Sequence, residues 1–252
     1  MVKKVSKVKK LSIVIPVYNE ENNISSLVKE IYQHLRPIKY EIIIVDDGST
    51  DNTFKELNQI FKRYKNIIIV KHKKNFGQSF SIRSGIIAAN ENFILTLDGD
   101  GQNDPKDVHK FLKKFNPEKS FDLVIGNRKT RHDTFSKKMA SRFAFILRKI
   151  IFKDQTPDTG CAMKIFRKDD FLLLPFFNHI HRFFPILFKI YGGTITSVTV
   201  KHRRRLTGYS KYSNLQRALV GIYDLIGVVW LNKRSYSPKF VEDKKIIYNR
   251  KR

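Results

Sequence analysis

A chain of 252 residues is long enough to bury a sizeable core, as one large α/β domain or two small ones. Its one cysteine, Cys161, excludes intrachain disulfides and cysteine-rich zinc sites, as a reducing compartment would allow. With 49 Lys+Arg against 23 Asp+Glu the formal net charge is +26, which attracts anions of any kind: nucleic acid, an acidic membrane leaflet or phosphorylated substrates.

The N-terminal MVKKVSKVKK has basic residues but no apolar stretch behind them, so residues 1–10 read as a basic arm and not as a secretory signal. Leu11 to Val17 (LSIVIPV) is a near-continuous apolar run, the pattern of a strand buried on both faces of a parallel sheet. After Tyr18, Asn19, Glu20 and Glu21, the residues Ile24, Leu27, Val28 and Ile31 recur at helical spacing. A second unit begins with the strand Glu41 to Val45, breaks at DDGSTDNT and continues as a helix through Phe54, Leu57, Ile60 and Phe61. Ser49 or Asp51 could cap that helix, whereas Asp46 and Asp47 have no such reason to be there. Ile67 to Val70 is a third strand, and NFGQSFSIRSGIIAA reads as a glycine-punctuated loop entering a helix.

The fourth strand, Ile94 to Leu97, delivers Asp98, Gly99, Asp100, Gly101 and Gln102 at its end. Carboxylates at i and i+2 where a strand breaks can both turn towards one point. Alone, such a pair is more often a solvated acidic turn. Context argues otherwise. Four βα alternations in the first hundred residues predict an open, mostly parallel sheet with helices on both faces. Ligands of such sheets bind beyond the carboxyl ends of the strands, where Tyr18 to Glu20, Asp46 and Asp47, and Asp98 to Gln102 would converge. Hard oxygen ligands favour Mg²⁺ or Mn²⁺, and a nucleotide carried with such an ion is the natural ligand. No G-x-G-x-x-G follows the first strand and no Walker loop is present, so metal and basic side chains must meet the phosphates.

Further along, Phe121 to Gly126 is a strand and Phe135 to Phe152 a cationic, aromatic helix, suited either to an acidic membrane surface or to the domain core. Phe176, Phe177, Phe183 and Phe184 form a second aromatic cluster, readable as a wall of a lipid entrance or as core. Leu215 to Leu231 is apolar but short of the ~20 residues a bilayer span needs, and it carries Arg217 and Asp224. An interfacial helix is expected there, with Trp230, Lys233 and Arg234 at the membrane-water boundary. His72, His132, His179, His181 and His202 show no metal-ligand spacing, and Cys161 reads as a small buried residue.

The ordered motifs PVYNEENNI, VDDGSTDNT, NFGQS and LDGDGQNDP resemble the family two glycosyltransferases with the GT-A fold. VIGNR, DTGCAMKIFRK and HRRRLTGYSKY are similar to the dolichol-phosphate mannose synthase branch, which includes bacterial polyprenyl-phosphate sugar transferases. The likeness runs from about Leu11 to Tyr212. It implies a GT-A domain over 11–212, after which the residue pattern gives a membrane-interface helix over 213–235 and a charged tail over 236–252. By resemblance, Pro16, Tyr18, Glu20, Val45 and Asp47 surround the nucleoside. Asp98 lies close to ribose and sugar, Gly99 belongs to the same nucleotide-sugar-binding segment, and Asp100 and Gln102 ligate Mg²⁺ or Mn²⁺. Arg128, Arg205 and Lys211 meet phosphate, and with Asp98 they form the catalytic set. Asp158 is either structural or near the acceptor. The absence of Q-x-x-R-W after the D-x-D argues against a processive polysaccharide synthase and for a lipid-phosphate acceptor.

The expectation is therefore a metal-dependent, inverting transferase taking a sugar from a GDP- or UDP-linked donor to a polyprenyl phosphate. It would sit peripherally or monotopically on the cytoplasmic membrane face, held by acidic lipid. A phosphate acceptor needs no general base, because a phosphomonoester with a second pKa of about 6 is largely ionised at neutral pH. Two other readings stay open: transfer to a sugar hydroxyl of a surface glycan, and nucleic-acid binding on a non-catalytic GT-A fold. The second is disfavoured, since acidic clusters at the strand ends repel a nucleic-acid backbone and no binding motif is present.

Overall fold

The computed structural model describes residues 8, 10–35, 38–128, 145–203 and 214–234, with the backbone alone for 214–220. Among the described residues there are seven strands: β1 (Lys10–Val17), β2 (Lys39–Asp46), β3 (Ile67–Lys71), β4 (Phe93–Thr96), β5 (Asp122–Arg128), β6 (Lys164–Arg167) and β7 (Thr194–Val200). They make one sheet in the order β3-β2-β1-β4-β6-β5-β7. Parallel pairs join β1 to β2 and β4, β2 to β3, and β5 to β7. Only β6 runs against its neighbours, with Lys164 opposite Thr96 and Arg167 opposite Phe93. Its reversal has a consequence: the amino end of β6 lies at the rim where the parallel strands have their carboxyl ends.

The helices are α1 (Ile24–His34), α2 (Thr53–Arg63), α3 (Gln78–Ala88) and α4 (Val108–Lys114), α5 over 145–152, and α6 (Lys168–Leu172), α7 (Phe184–Ile190) and α8 (Asn214–Arg234). Because side chains alternate along a strand, Ile13 and Ile15 of β1 face one way and Val14 the other. The first face packs on Leu27 and Ile31 of α1, Leu57 and Ile60 of α2 and Phe111 of α4. The opposite face packs on Ile82 and Ile86 of α3 and Phe184 and Phe188 of α7. Each fully buried aliphatic or aromatic side chain here stabilises by about 1.5–3 kcal/mol, and cutting Ile43 back to Ala would cost about 2–5 kcal/mol.

Phe183 and Phe184 are buried in the second core, with Phe176 and Phe177 packed at its margin, so this aromatic cluster serves mainly as core. The expected helix over Phe135–Phe152 is described only from 145 onward. On α8, Val228 points into the core beside Leu225, Val229 and Leu231, and Asp224 Oδ2 meets His179 Nδ1 at 2.9 Å. The other side of α8 exposes Ile222, Tyr223, Ile226 and Trp230. No helix among the described residues is long and apolar enough to cross a membrane.

Candidate active site

The loops after β1 and β2 are sewn together at the rim. Asn19 adopts φ 56°, a conformation Asn tolerates better than most residues, and its amide nitrogens donate to Ser49 Oγ at 3.0 Å and Thr50 Oγ1 at 3.1 Å. Thr50 N donates back to Asn19 Oδ1 at 2.8 Å, and Glu20 N donates to Thr53 Oγ1 at 2.8 Å. This fixes the segment carrying Tyr18 and Glu20, while Pro16 sits in register with Val45. Ser49 therefore serves the loop seam, and Asp51 Oδ1 accepts from Thr53 N at 2.9 Å at the start of α2.

Asp47 is occupied internally. Its Oδ1 accepts from His72 Nδ1 at 2.7 Å and Phe76 N at 2.9 Å, and its Oδ2 accepts from Gly77 N at 2.7 Å. With Nδ1 donating, His72 Nε2 accepts from the Ser84 hydroxyl at 3.0 Å. Asp47 thus anchors the loop that opens α3. Asp46 differs: Oδ1 accepts from Ser49 N at 3.0 Å, but Oδ2 is buried with no hydrogen-bond partner among the described residues.

The D-x-D turn lies against β1. A Cβ on Gly99 would stand 2.6 Å from Val17 Cγ1 and 3.2 Å from the Pro16 carbonyl, so only glycine lets the chain approach there. Asp98 Oδ1 accepts from Gln78 Nε2, at the first residue of α3, at 2.7 Å. Burial and repulsion from Asp100 push the Asp98 carboxyl up to about 7, with Glu20 adding to the rise and Lys164 and Arg128 opposing it. Asp100 Oδ1 accepts from Gln102 N at 3.1 Å. Gln102 in turn is tied to the segment after β7, its Nε2 donating to the Arg203 carbonyl at 3.1 Å and its own carbonyl accepting from Arg203 N at 2.9 Å. The Arg203 guanidinium is spent on Glu30 at 2.7 Å and Asp104 at 3.1 Å. Arg205 and Lys211 lie outside the described residues.

Arg128, the last residue of β5, is gripped by Asp158. Its Nε and Nη2 donate to the two carboxylate oxygens at 2.7 and 3.0 Å, and its backbone N donates to Oδ2 at 3.3 Å. Such a fork fixes the plane of the guanidinium as well as its charge. A Cβ on Gly160 would lie 3.3 Å from Arg128 Nη2, so the turn leaves room for the guanidinium. Four residues after Gly160, Lys164 is buried and its ammonium donates to the Cys161 carbonyl. Burial lowers the Lys164 ammonium to about 8, partly opposed by Cys161 and Asp98. Cys161 is buried and its thiol pushed up by desolvation, as an inert structural cysteine should be.

Glu20, Asp98, Asp100, Arg128 and Lys164 thus form one electrostatic cluster at the rim, with Gln102 bonded to Asp100. Lys164 within it, and Gln78 and Asp158 bonded to its Asp98 and Arg128, had no role assigned from sequence, or an open one: Gln78 stood within NFGQS, and Asp158 and Lys164 within DTGCAMKIFRK. No three His, Cys, Asp or Glu side chains form a metal cage among the described residues. A hard dication that shares its coordination with substrate phosphate and water needs only one or two carboxylates, and the repulsion between Asp98 and Asp100 is what it would relieve.

The model of glycosyl transferase family 2 matches residues 12–173, which include most of β1, all of β2 to β4, the D-x-D turn, Arg128 and Asp158. The chain belongs to this family. The glycosyltransferase is 33% identical over 234 residues to a dodecaprenyl-phosphate galacturonate synthase of Rhizobium johnstonii, covering 90% of this chain and 69% of that protein. It is 34% identical over 226 residues to an undecaprenyl-phosphate 4-deoxy-4-formamido-L-arabinose transferase of Yersinia enterocolitica, covering 87% and 67%. In fold it is similar to glucosyl-3-phosphoglycerate synthase from Mycobacterium tuberculosis, solved with Mn²⁺, UDP and phosphoglyceric acid, at TM-score 0.67 and 16% identity over 91% of this chain and 80% of that one. Mannosyl-3-phosphoglycerate synthase from Rubrobacter xylanophilus is similar at TM-score 0.68 and 12% identity, over 91% and 76%. The architecture is the GT-A fold.

Proposed function

We propose that this glycosyltransferase moves a sugar from a GDP- or UDP-linked donor to a polyprenyl phosphate, with inversion at the anomeric carbon and with Mg²⁺ or Mn²⁺ as cofactor. The observation that carries the acceptor is that both relatives of about one-third identity are named for sugar transfer on a polyprenyl phosphate. The cluster around Asp98 supports the donor, since carboxylates and fixed cations together suit a metal-bound diphosphate.

Each residue then has a task. Pro16, Tyr18, Glu20 and Val45 line the nucleoside, and Asp47 contributes through the loop it fixes, because its own oxygens are already taken. Asp98 and Gly99 face ribose and sugar. A dication on Asp100 and Gln102 would act as Lewis acid on the leaving diphosphate. Arg128 adds a preorganised charge where negative charge develops as the bond from anomeric carbon to diphosphate breaks. Arg205 and Lys211 receive phosphate, on a segment that follows the Arg203 tether to Gln102. The acceptor oxygen attacks already ionised, so no base is required.

The exposed stripe on α8 supports attachment to acidic lipid on the cytoplasmic face: Ile222, Ile226 and Trp230 succeed each other at i, i+4 and i+8 beside Tyr223, on a chain of net charge +26. The deciding experiment incubates the protein with radiolabelled nucleotide sugars, Mn²⁺ and undecaprenyl phosphate. A mild-acid-labile radioactive lipid is expected; label found only in water-soluble glycan would replace the acceptor.

A further inference from the structure

Lys164 is out of place for a residue that merely fills the sheet. It pairs with Thr96 and Ile125 and is followed by the buried Ile165 and Phe166, an environment in which a methionine would pack without desolvating a charge. The one hydrogen bond of its ammonium among the described residues is to a neutral acceptor, the Cys161 carbonyl, and its Nζ stands 5.6 Å from the Phe184 ring centroid. No carboxylate lies within 4.0 Å of it among the described residues. An ammonium buried on these terms weakens the fold, so it asks for a function.

Lys164 stands opposite Thr96, and Asp98 follows Thr96 by two residues, the spacing that returns a side chain to the same face; Arg128, at the end of the adjacent β5, is the second cation at this rim. Both cations are held by one turn. Asp158 grips Arg128, Gly160 leaves space for it, and the next residue, Cys161, holds Lys164. We propose that Lys164 is a positioning residue of the transfer reaction: a fixed cation beneath the rim that keeps the Asp98 carboxylate oriented towards the donor sugar. This rests on the reading of the rim as a nucleotide-sugar site. Lys164 is too deeply buried to touch substrate, so it acts through Asp98.

The test compares Lys164→Met and Lys164→Arg with the wild type in three measurements: thermal midpoint, sugar transfer to undecaprenyl phosphate, and the slow transfer of the donor sugar to water. Because Met fills the volume of a buried ammonium that has no carboxylate within 4.0 Å among the described residues, K164M should melt close to the wild-type temperature. Its kcat should nevertheless fall about 100-fold with donor KM changed far less, the signature of a misplaced reacting group. K164R, which keeps the charge, should recover most of the loss. Wild-type kcat in K164M overturns the proposal, and so does a loss of activity that tracks a lowered midpoint and is not rescued by Arg. Should the wild type fail to use undecaprenyl phosphate, the acceptor reading fails alone; donor hydrolysis still decides for Lys164, since an unchanged hydrolysis rate in K164M overturns its role and a reduced one upholds it.

Discussion

Removing the carboxylate of Asp158 tests whether Arg128 works because it is held. In the folded chain the Asp158 side chain retains 3% of its exposure and that of Arg128 18%. Deleting one partner of a buried pair costs about 3–5 kcal/mol, and the partial access of water to Arg128 places Asp158→Ala at the lower end, about 3 kcal/mol. For a chain of this size each kcal/mol moves the midpoint by about 2–4 °C, so the variant should melt about 6–12 °C lower. Asp158→Asn keeps one acceptor oxygen and loses the charge, for a cost of about 1–2 kcal/mol. Both variants leave Arg128 in the chain but free its guanidinium plane, so kcat for sugar transfer should fall about 100-fold even below the midpoint of the variant. Arg128→Lys should fail similarly, since an ammonium cannot form the fork. Differential scanning calorimetry and a radiolabel transfer assay at a temperature where every variant is folded separate the two effects. Wild-type turnover in a destabilised Asp158→Ala would refute the argument that the pair positions Arg128 for chemistry.

Asp100→Ala should abolish the Mn²⁺-dependent part of the thermal shift produced by nucleoside diphosphates, which for the wild type at about 100 times Kd amounts to about 2.7 kcal/mol; an unchanged shift would remove Asp100 from its metal role. For the metal-free protein, the Asp98 carboxyl at about 7 in the fold stands above its ordinary 3.8, so its contribution to stability is present at low pH and lost as pH rises between those values. Denaturant titrations should show that decline, and Asp98→Asn should remove it. Charging the outer stripe of α8, as in Ile226→Glu with Trp230→Ala, should lower binding to acidic liposomes at least tenfold, each apolar group lost from the bilayer being worth about 1.5–3 kcal/mol. These residues are exposed, so the midpoint should hold within about 0.5 kcal/mol of wild type, and retained co-sedimentation would move the contact elsewhere.

The parallel half of the sheet was legible because strands buried on both faces are apolar without interruption. Leu11 to Val17 and the isoleucines of Glu41 to Val45 leave little else for those segments to be. The short β6 escaped, since KIFR is four residues long and runs straight into α6, and β7 escaped because TITSVTV mixes small polar and apolar residues on a partly exposed strand. In the site, Asp98 and Asp100 announce themselves by spacing within one turn. Gln78, Asp158 and Lys164 do not, because each acquires its meaning from a partner brought near by the fold: Asp158 and Arg128 are 30 positions apart, and Gln78 and Asp98 are 20. Asp47 is the converse case. The motif points to it as a ligand contact, yet only the fold reveals that His72, Phe76 and Gly77 already occupy its oxygens.

The antiparallel strand ties these observations together. In an all-parallel sheet the rim receives only residues that follow strands, and here those are mainly acidic: Glu20 after β1, Asp46 and Asp47 at the end of β2, Asp98 and Asp100 after β4. Running β6 backwards delivers to the same rim the residues that precede a strand and its first position, which are Asp158, Gly160, Cys161 and Lys164. Arg128 reaches them from the end of the adjacent β5. The proposed reaction, with a dication and a departing diphosphate, would need both signs of charge at fixed positions in a poorly solvated place, where each sign makes the other tolerable. One strand reversal supplies that mixture without lengthening any loop.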